Sequence, residues 1–160
     1  MSVRSLDAAQ LLPVPLARRL RDTGLRWDPT AGDRFVLADR DMDADVFVVS
    51  DMVADVHQFP SGPVIGFNGT VEWALDSVGT EQTLWLPQED QLRRLLGGTF
   101  RRLERSHDGD SVDGGDSGDG GAWVVTTVLP GGTDEQVDRA GTAVEAYGLA
   151  LLRLLERALG

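Results

Sequence analysis

The sequence predicts an α+β fold: a single domain in which an antiparallel sheet of about five to six strands carries helices mainly on one face and ends in a long C-terminal helix. Three observations predict it. Short runs rich in Val, Phe and Ile follow one another between residues 34 and 67, separated by turn residues at hairpin rather than crossover spacing. Stretches at 12–24, 87–97 and 133–159 place apolar residues at helical intervals. At 160 residues, the chain is of a length at which one core suffices, and it has no cysteine to staple it.

The first helix is expected over 12–24, where Leu12, Leu16 and Leu20 recur at four-residue steps. Pro15 belongs in its first turn and Gly24 at its C-terminal cap, with Leu25 covering the cap. Strand character follows at Arg34–Ala38, Asp45–Ser50, Val53–Phe59 and Val64–Phe67, the last two flanking Pro60-Ser61-Gly62-Pro63. Asn68-Gly69 is a turn signal, and Thr70–Val78 fits a short helix through Val71, Ala74, Leu75 and Val78. Leu84-Trp85-Leu86 is a brief extended piece.

Pro87 then opens a helix that Gly97-Gly98 stops. Glu89 and Asp90 lie in its first turn and Arg93 and Arg94 near its end, as the helix dipole favours. Thr99–Arg105 and Ala122–Leu129 read as two strands of one hairpin. Between them, residues 108–121 consist of Asp, Gly, Ser and one Val. Such a run buries too little apolar surface to offset its ordering entropy, so a disordered loop insertion is expected there.

For the last helix, Thr133-Asp134-Glu135-Gln136 has the form of a capping box. Val137, Ala140, Val144, Tyr147, Leu151, Leu154 and Ala158 follow at alternating three- and four-residue steps, with Gly141 and Gly148 beside them to allow close backbone approach. That seam suits a helix laid across its own sheet. The less favoured alternative is a homodimer interface over residues 137–158.

Composition narrows the function. The formal net charge is −11, and all 15 basic residues are Arg. So acidic a chain lacks the broad basic footprint that phosphate backbones require, so no nucleic-acid partner is expected. No run approaches the ~20 apolar residues of a bilayer span, and the short apolar stretch at 11–17 is broken by Pro13 and Pro15, unlike a secretion signal. A soluble cytoplasmic protein without membrane insertion is expected.

Several motifs fall short of a chemistry. Asp39-Arg40-Asp41-Met42-Asp43-Ala44-Asp45 spaces its acids like the start of a calcium loop, but has Ala44 where the turn needs Gly and Ser50 where a bidentate Glu is required. Two histidines and no cysteine make a poor zinc set. There is no phosphate-binding Gly-rich loop and no Lys to serve one, so no cofactor is expected. His57 shares a strand face with Asp55, an arrangement that can orient an imidazole. His107 has no predicted neighbour. None of Ser50, Ser61, Thr70 and Ser77 lies in a nucleophile elbow.

The four tryptophans stand beside a single tyrosine. Trp27, Trp73 and Trp85 suit either core packing or a ligand or partner groove, with Asn68, Glu72 and Asp76 as its polar handles and His57 nearby.

The segments Gly32–Val36, Asp45–Met52, Val64–Thr70, Glu72–Val78 and Leu84–Leu92 resemble a family of small high-GC bacterial proteins often labelled "pilus assembly protein CpaE". The resemblance spans about residues 15–105. It implies a link to pilus assembly and no active site. The receiver and ATPase motifs that go with that label elsewhere are not in this sequence, so no functional residue carries over. Together these features lead to an expected non-catalytic accessory or protein-interaction domain with an unknown protein partner. The alternatives are a small hydrolase using Asp55, His57, Glu72 and Asp76, and a small-ligand sensor.

Overall fold

A computed structural model of the chain describes residues 10–37, 46–49, 54–59, 62–67, 77–79, 82–106 and 121–159, with the backbone alone described in 54–59, 62–67 and 77–79. The element order is α1 (Val14–Asp22), β1 (Arg34–Leu37), β2 (Phe47–Val48), β3 (Ala54–Phe59), β4 (Gly62–Phe67), β5 (Ser77–Gly79), β6 (Thr83–Trp85), α2 (Glu89–Leu96), β7 (Phe100–Arg105), β8 (Trp123–Val128), β9 (Glu135–Ala140) and α3 (Ala143–Leu159). Every strand pairing is antiparallel. The α+β class and the long C-terminal helix are as the sequence predicts. The strands are divided among three three-stranded sheets, ordered β2-β1-β6, β3-β4-β5 and β7-β8-β9.

Local chemistry explains the helix ends. In α1, Pro15 lies in the first turn. Gly24 adopts a φ of 102°, its N–H bonds to Arg21 O, and the Leu25 N–H reaches Leu20 O. That pair of bonds is the Schellman arrangement, and only glycine enters it without a Cβ penalty. In α2 the Gln88 N–H donates to Gln91 Oε1 at 2.8 Å, tying down the helix start.

The last helix begins ten residues later than expected. Residues 135–140 form β9, paired with β8 from Val128↔Glu135 to Trp123↔Ala140. Gln136, Asp138 and Ala140 face α3: Gln136 Oε1 accepts from Arg157, Asp138 pairs with Arg153, and Ala140 packs on the core. Glu135, Val137 and Arg139 alternate to the other side. The working cap is Thr142, whose Oγ1 accepts the Glu145 N–H at 3.3 Å. The expected short helix over 70–78 ends in strand instead: 77–79 is β5, and 70–76 lie outside the described residues. So do the Asn68-Gly69 turn, the acid run 39–45, Ser50, His107 and residues 108–120 of the Asp/Gly-rich insertion.

The main core lies between the first and third sheets. Leu12 just before α1, Leu16 and Leu20 of α1, Val36 and Leu84 of the first sheet, Leu92 and Leu96 of α2, and Val125 of β8 close around α3. The central residues of the heptad seam, Val144, Tyr147 and Leu151, are buried within this one chain. Leu154 is half-buried against the same core, while Ala158 is exposed.

At Gly148, α1 and α3 come so close that a Cβ would stand 2.6 Å from Leu12 Cδ1 and 2.9 Å from Leu16 Cδ2. Gly148→Ala would gain about 1 kcal/mol of helix propensity. Both leucines are themselves packed in the core, so the overpacking cost of ~1–3 kcal/mol should win. The expected net loss is roughly 1 kcal/mol, read as a lower urea midpoint; a raised midpoint would mean that the leucines yield. Gly141, by contrast, has open space around it.

The outer face of the third sheet carries a cluster of ion pairs. Arg102 on β7 crosses β8 to grip both carboxylate oxygens of Glu135 on β9, at 2.8 and 3.0 Å, while its Nε bonds Glu104 at 2.7 Å. Val124, Thr126 and Val128 are buried on this face of β8. No described helix is long and apolar enough to cross a membrane.

Candidate functional site

Two features gather the side chains that could do chemistry. The first is the aromatic face of the β2-β1-β6 sheet. Period-2 alternation sends Val36 and Leu84 to the main core and Phe35, Leu37 and Trp85 to the opposite side. There Trp27 lies parallel to Trp85 (4°, centroids 6.3 Å apart), and its ring is 5.6 Å from Phe35, which in turn stacks on Phe47.

Trp27 is held in place by Asp33, which is only 2 % exposed. One Asp33 oxygen accepts from Trp27 Nε1 at 2.8 Å and from the Thr30 N–H at 2.9 Å, and the other accepts from Gln91 Nε2 at 2.5 Å. Its backbone exchanges bonds with Thr30 and Val49. A buried carboxylate engaged at both oxygens fixes the 27–33 loop against α2 and has little left to offer a substrate. Trp85 Nε1 is buried there without a partner among the described residues.

The second feature is a cleft of about 450 Å³ between α2, the start of α3 and β1. Arg34, Gln88, Glu89, Arg93 and Tyr147 line it. The guanidinium of Arg93 sits 3.9 Å above the Phe100 ring, and Phe100 stacks on Tyr147 at 5.6 Å. Arg93 and Tyr147 thus both pack on the Phe100 ring. Burial is the main cause that raises the Tyr147 pKa above the ordinary phenol value; Glu89 adds to it and Arg93 opposes it.

The predicted site residues are distributed as follows. Trp27 and Trp85 are brought together, as a groove reading requires. His57 and Asp55 lie on β3, where the backbone alone is described. Asn68, Glu72, Trp73 and Asp76 lie outside the described residues. The cleft residues were not singled out by sequence reasoning: Arg93 reads as a dipole-matched helix residue, Arg34 as the first residue of a strand, and Tyr147 as one member of an apolar seam. One signal was present, since Tyr147 is the only tyrosine in the chain and it interrupts an otherwise aliphatic stripe. Among the described residues, no group of three His, Asp or Glu is placed to hold a metal ion.

No family model matches this chain, and neither a curated protein nor a solved structure does.

One further acid is perturbed. Asp138, 5 % exposed, meets Arg153 at 2.6 Å through Oδ1, while its Oδ2 is buried without a partner among the described residues. Burial raises its pKa above the ordinary carboxylate value, against the pull of Arg153. The native state thus holds this proton more tightly than the unfolded chain does. Its contribution to stability is present below the unfolded pKa and is lost as pH rises through the native one. Asp138→Asn should therefore remove a stability increment seen on acidification. Urea midpoints of the two proteins from neutral pH into the carboxylate range will show it as a difference that shrinks as pH falls. Parallel curves would mean that Asp138 titrates as an ordinary acid.

Proposed function

We propose that this protein is a non-catalytic accessory domain that acts by recognition, with the cleft between α2, α3 and β1 as its binding surface. The observation that carries the reading is Tyr147: it is 4 % exposed, it lines the cleft, and its hydroxyl has no hydrogen-bond partner among the described residues. The buried polar atoms without a partner among the described residues are Trp85 Nε1, Thr126 Oγ1 and Asp138 Oδ2, so the Tyr147 hydroxyl is open to solvent at the cleft wall, where a ligand can meet it. The buried acids support recognition over hydrolysis. Asp33 is consumed by Trp27, Thr30 and Gln91, and Asp138 faces Arg153 away from the cleft.

The three readings weighed from the sequence differ in what they require. An interaction domain calls for a contiguous apolar patch, yet among the described residues the exposed large hydrophobics are the scattered Val48, Leu95 and Leu159. A sensor calls for an enclosed apolar cavity lined by Trp, whereas this cleft is lined by arginines, acids and Gln88. The favoured reading is thus small-ligand recognition through charge and hydrogen bonding. A fragment screen followed by amide chemical shifts tests it. Hits should cluster at Arg34, Arg93 and Tyr147; hits spread over other surfaces, or turnover of ester substrates that disappears in His57→Ala, would overturn it.

A further inference from the structure

Resting on that reading, we propose that the cleft takes a small organic ligand through a single carboxylate, gripped by Arg34 and Arg93 and completed by the Tyr147 hydroxyl. The chain is strongly acidic, with 26 Asp and Glu against 15 Arg, and several of its arginines meet carboxylates: Arg19 meets Glu156, Arg21 Asp22, Arg94 Asp90, Arg102 Glu104 and Glu135, and Arg153 Asp138. Arg34 and Arg93 line the cleft and make no ion pair among the described residues. Arg93 is not loose, because its guanidinium lies over the Phe100 ring. That stacking leaves the N–H edges of the fork open, which is the region that bonds a carboxylate in two places.

Tyr147 is braced by the same ring. Its raised pKa keeps the hydroxyl protonated, so it donates. The first turns of α2 and α3, whose positive dipole ends favour an anion, also border the cleft.

The count of unpaired charge selects the ligand class. Asp90 is neutralised by Arg94 at 2.5 Å. Among the described residues, what remains at the wall is two guanidinium groups and the Glu89 carboxylate, an excess of one positive charge. One carboxylate balances it. A phosphate dianion would add a second negative charge facing Glu89, in a protein already at −11. A cleft of about 450 Å³ has room for a substantial organic body behind the carboxylate.

Three probes of one shape test this on the full chain: benzoate, its neutral amide benzamide, and phenyl phosphate, followed by amide and arginine Nε–H shifts. Benzoate should bind with a Kd of about 1 mM, as suits so small a probe. Arg34→Gln and Arg93→Gln should each weaken it about tenfold, the loss expected for a charged hydrogen bond. Tyr147→Phe should weaken it about threefold to fivefold while leaving the melting temperature in place, since the hydroxyl has no internal partner to lose.

Benzamide binding as well as benzoate, phenyl phosphate binding more tightly, or benzoate binding unaltered by both arginine variants would each overturn the assignment. Failure of benzoate while neutral fragments still gather at Tyr147 would sink the carboxylate and spare the cleft; failure of both would sink the cleft reading too.

Discussion

Leu151→Glu should unfold the isolated chain rather than dissociate a dimer. Leu151 is 2 % exposed, on the face of α3 that closes the main core. The substitution strips an apolar side chain from that core, a loss of ~2–5 kcal/mol, and puts in a carboxylate with no cation beside it. Either the charge is buried unpaired or the site opens to water, and each route adds several kcal/mol. The sum rivals the ~5–15 kcal/mol that holds a typical domain together. Circular dichroism should show lost helix at 25 °C, and amide spectra should collapse. Leu159→Glu, at a position 73 % exposed, is the control and should leave both unchanged. A folded Leu151→Glu protein of halved mass in light scattering would instead establish a dimer across this helix.

Asp33→Ala is expected to have the second-largest effect, a loss of roughly 3 kcal/mol. The carboxylate is one acceptor for three donors, so its removal leaves Trp27 Nε1, the Thr30 N–H and Gln91 Nε2 competing for partners that are not there. The aromatic face should loosen with it, because the indole bond sets the angle at which Trp27 meets Trp85. Urea unfolding gives the energy, and near-ultraviolet circular dichroism reports the Trp pair separately. Asp33→Asn keeps one good acceptor and should lose about half as much. If alanine cost less than asparagine, the carboxylate would be a strained group and not a clasp.

What the sequence made legible follows from how directly each signal maps onto burial. Helix α1 was readable because its leucines face the core and its stop is a glycine that must adopt positive φ. Helix α2 was readable because proline, acids, arginines and Gly-Gly fall where the dipole and backbone want them. β9 was not, for a specific reason. Its inward-facing residues Gln136 and Asp138 are polar, since they meet the arginines of α3. The period-2 signal was therefore inverted, and Val137 and Ala140 fell into step with the helical repeat that begins only at Ala143. The true cap, Thr142 with Glu145 three residues on, resembles the false one at Thr133, and only the sheet distinguishes them.

The cleft was hidden for another reason. Arg34, Arg93 and Tyr147 come from three elements, and what marks them is the partners they do not have, a property of the assembled chain.

The bridge from Arg102 to Glu135 carries a last implication. It ties the two outer strands of the third sheet across β8, and water reaches both of its ends. Such a strap is weakened by dissolved ions, which hardly touch the oil-like interior on the opposite side. Brine should therefore loosen the tie between β7 and β9 and leave the helices folded, a change read at the amides of those two strands.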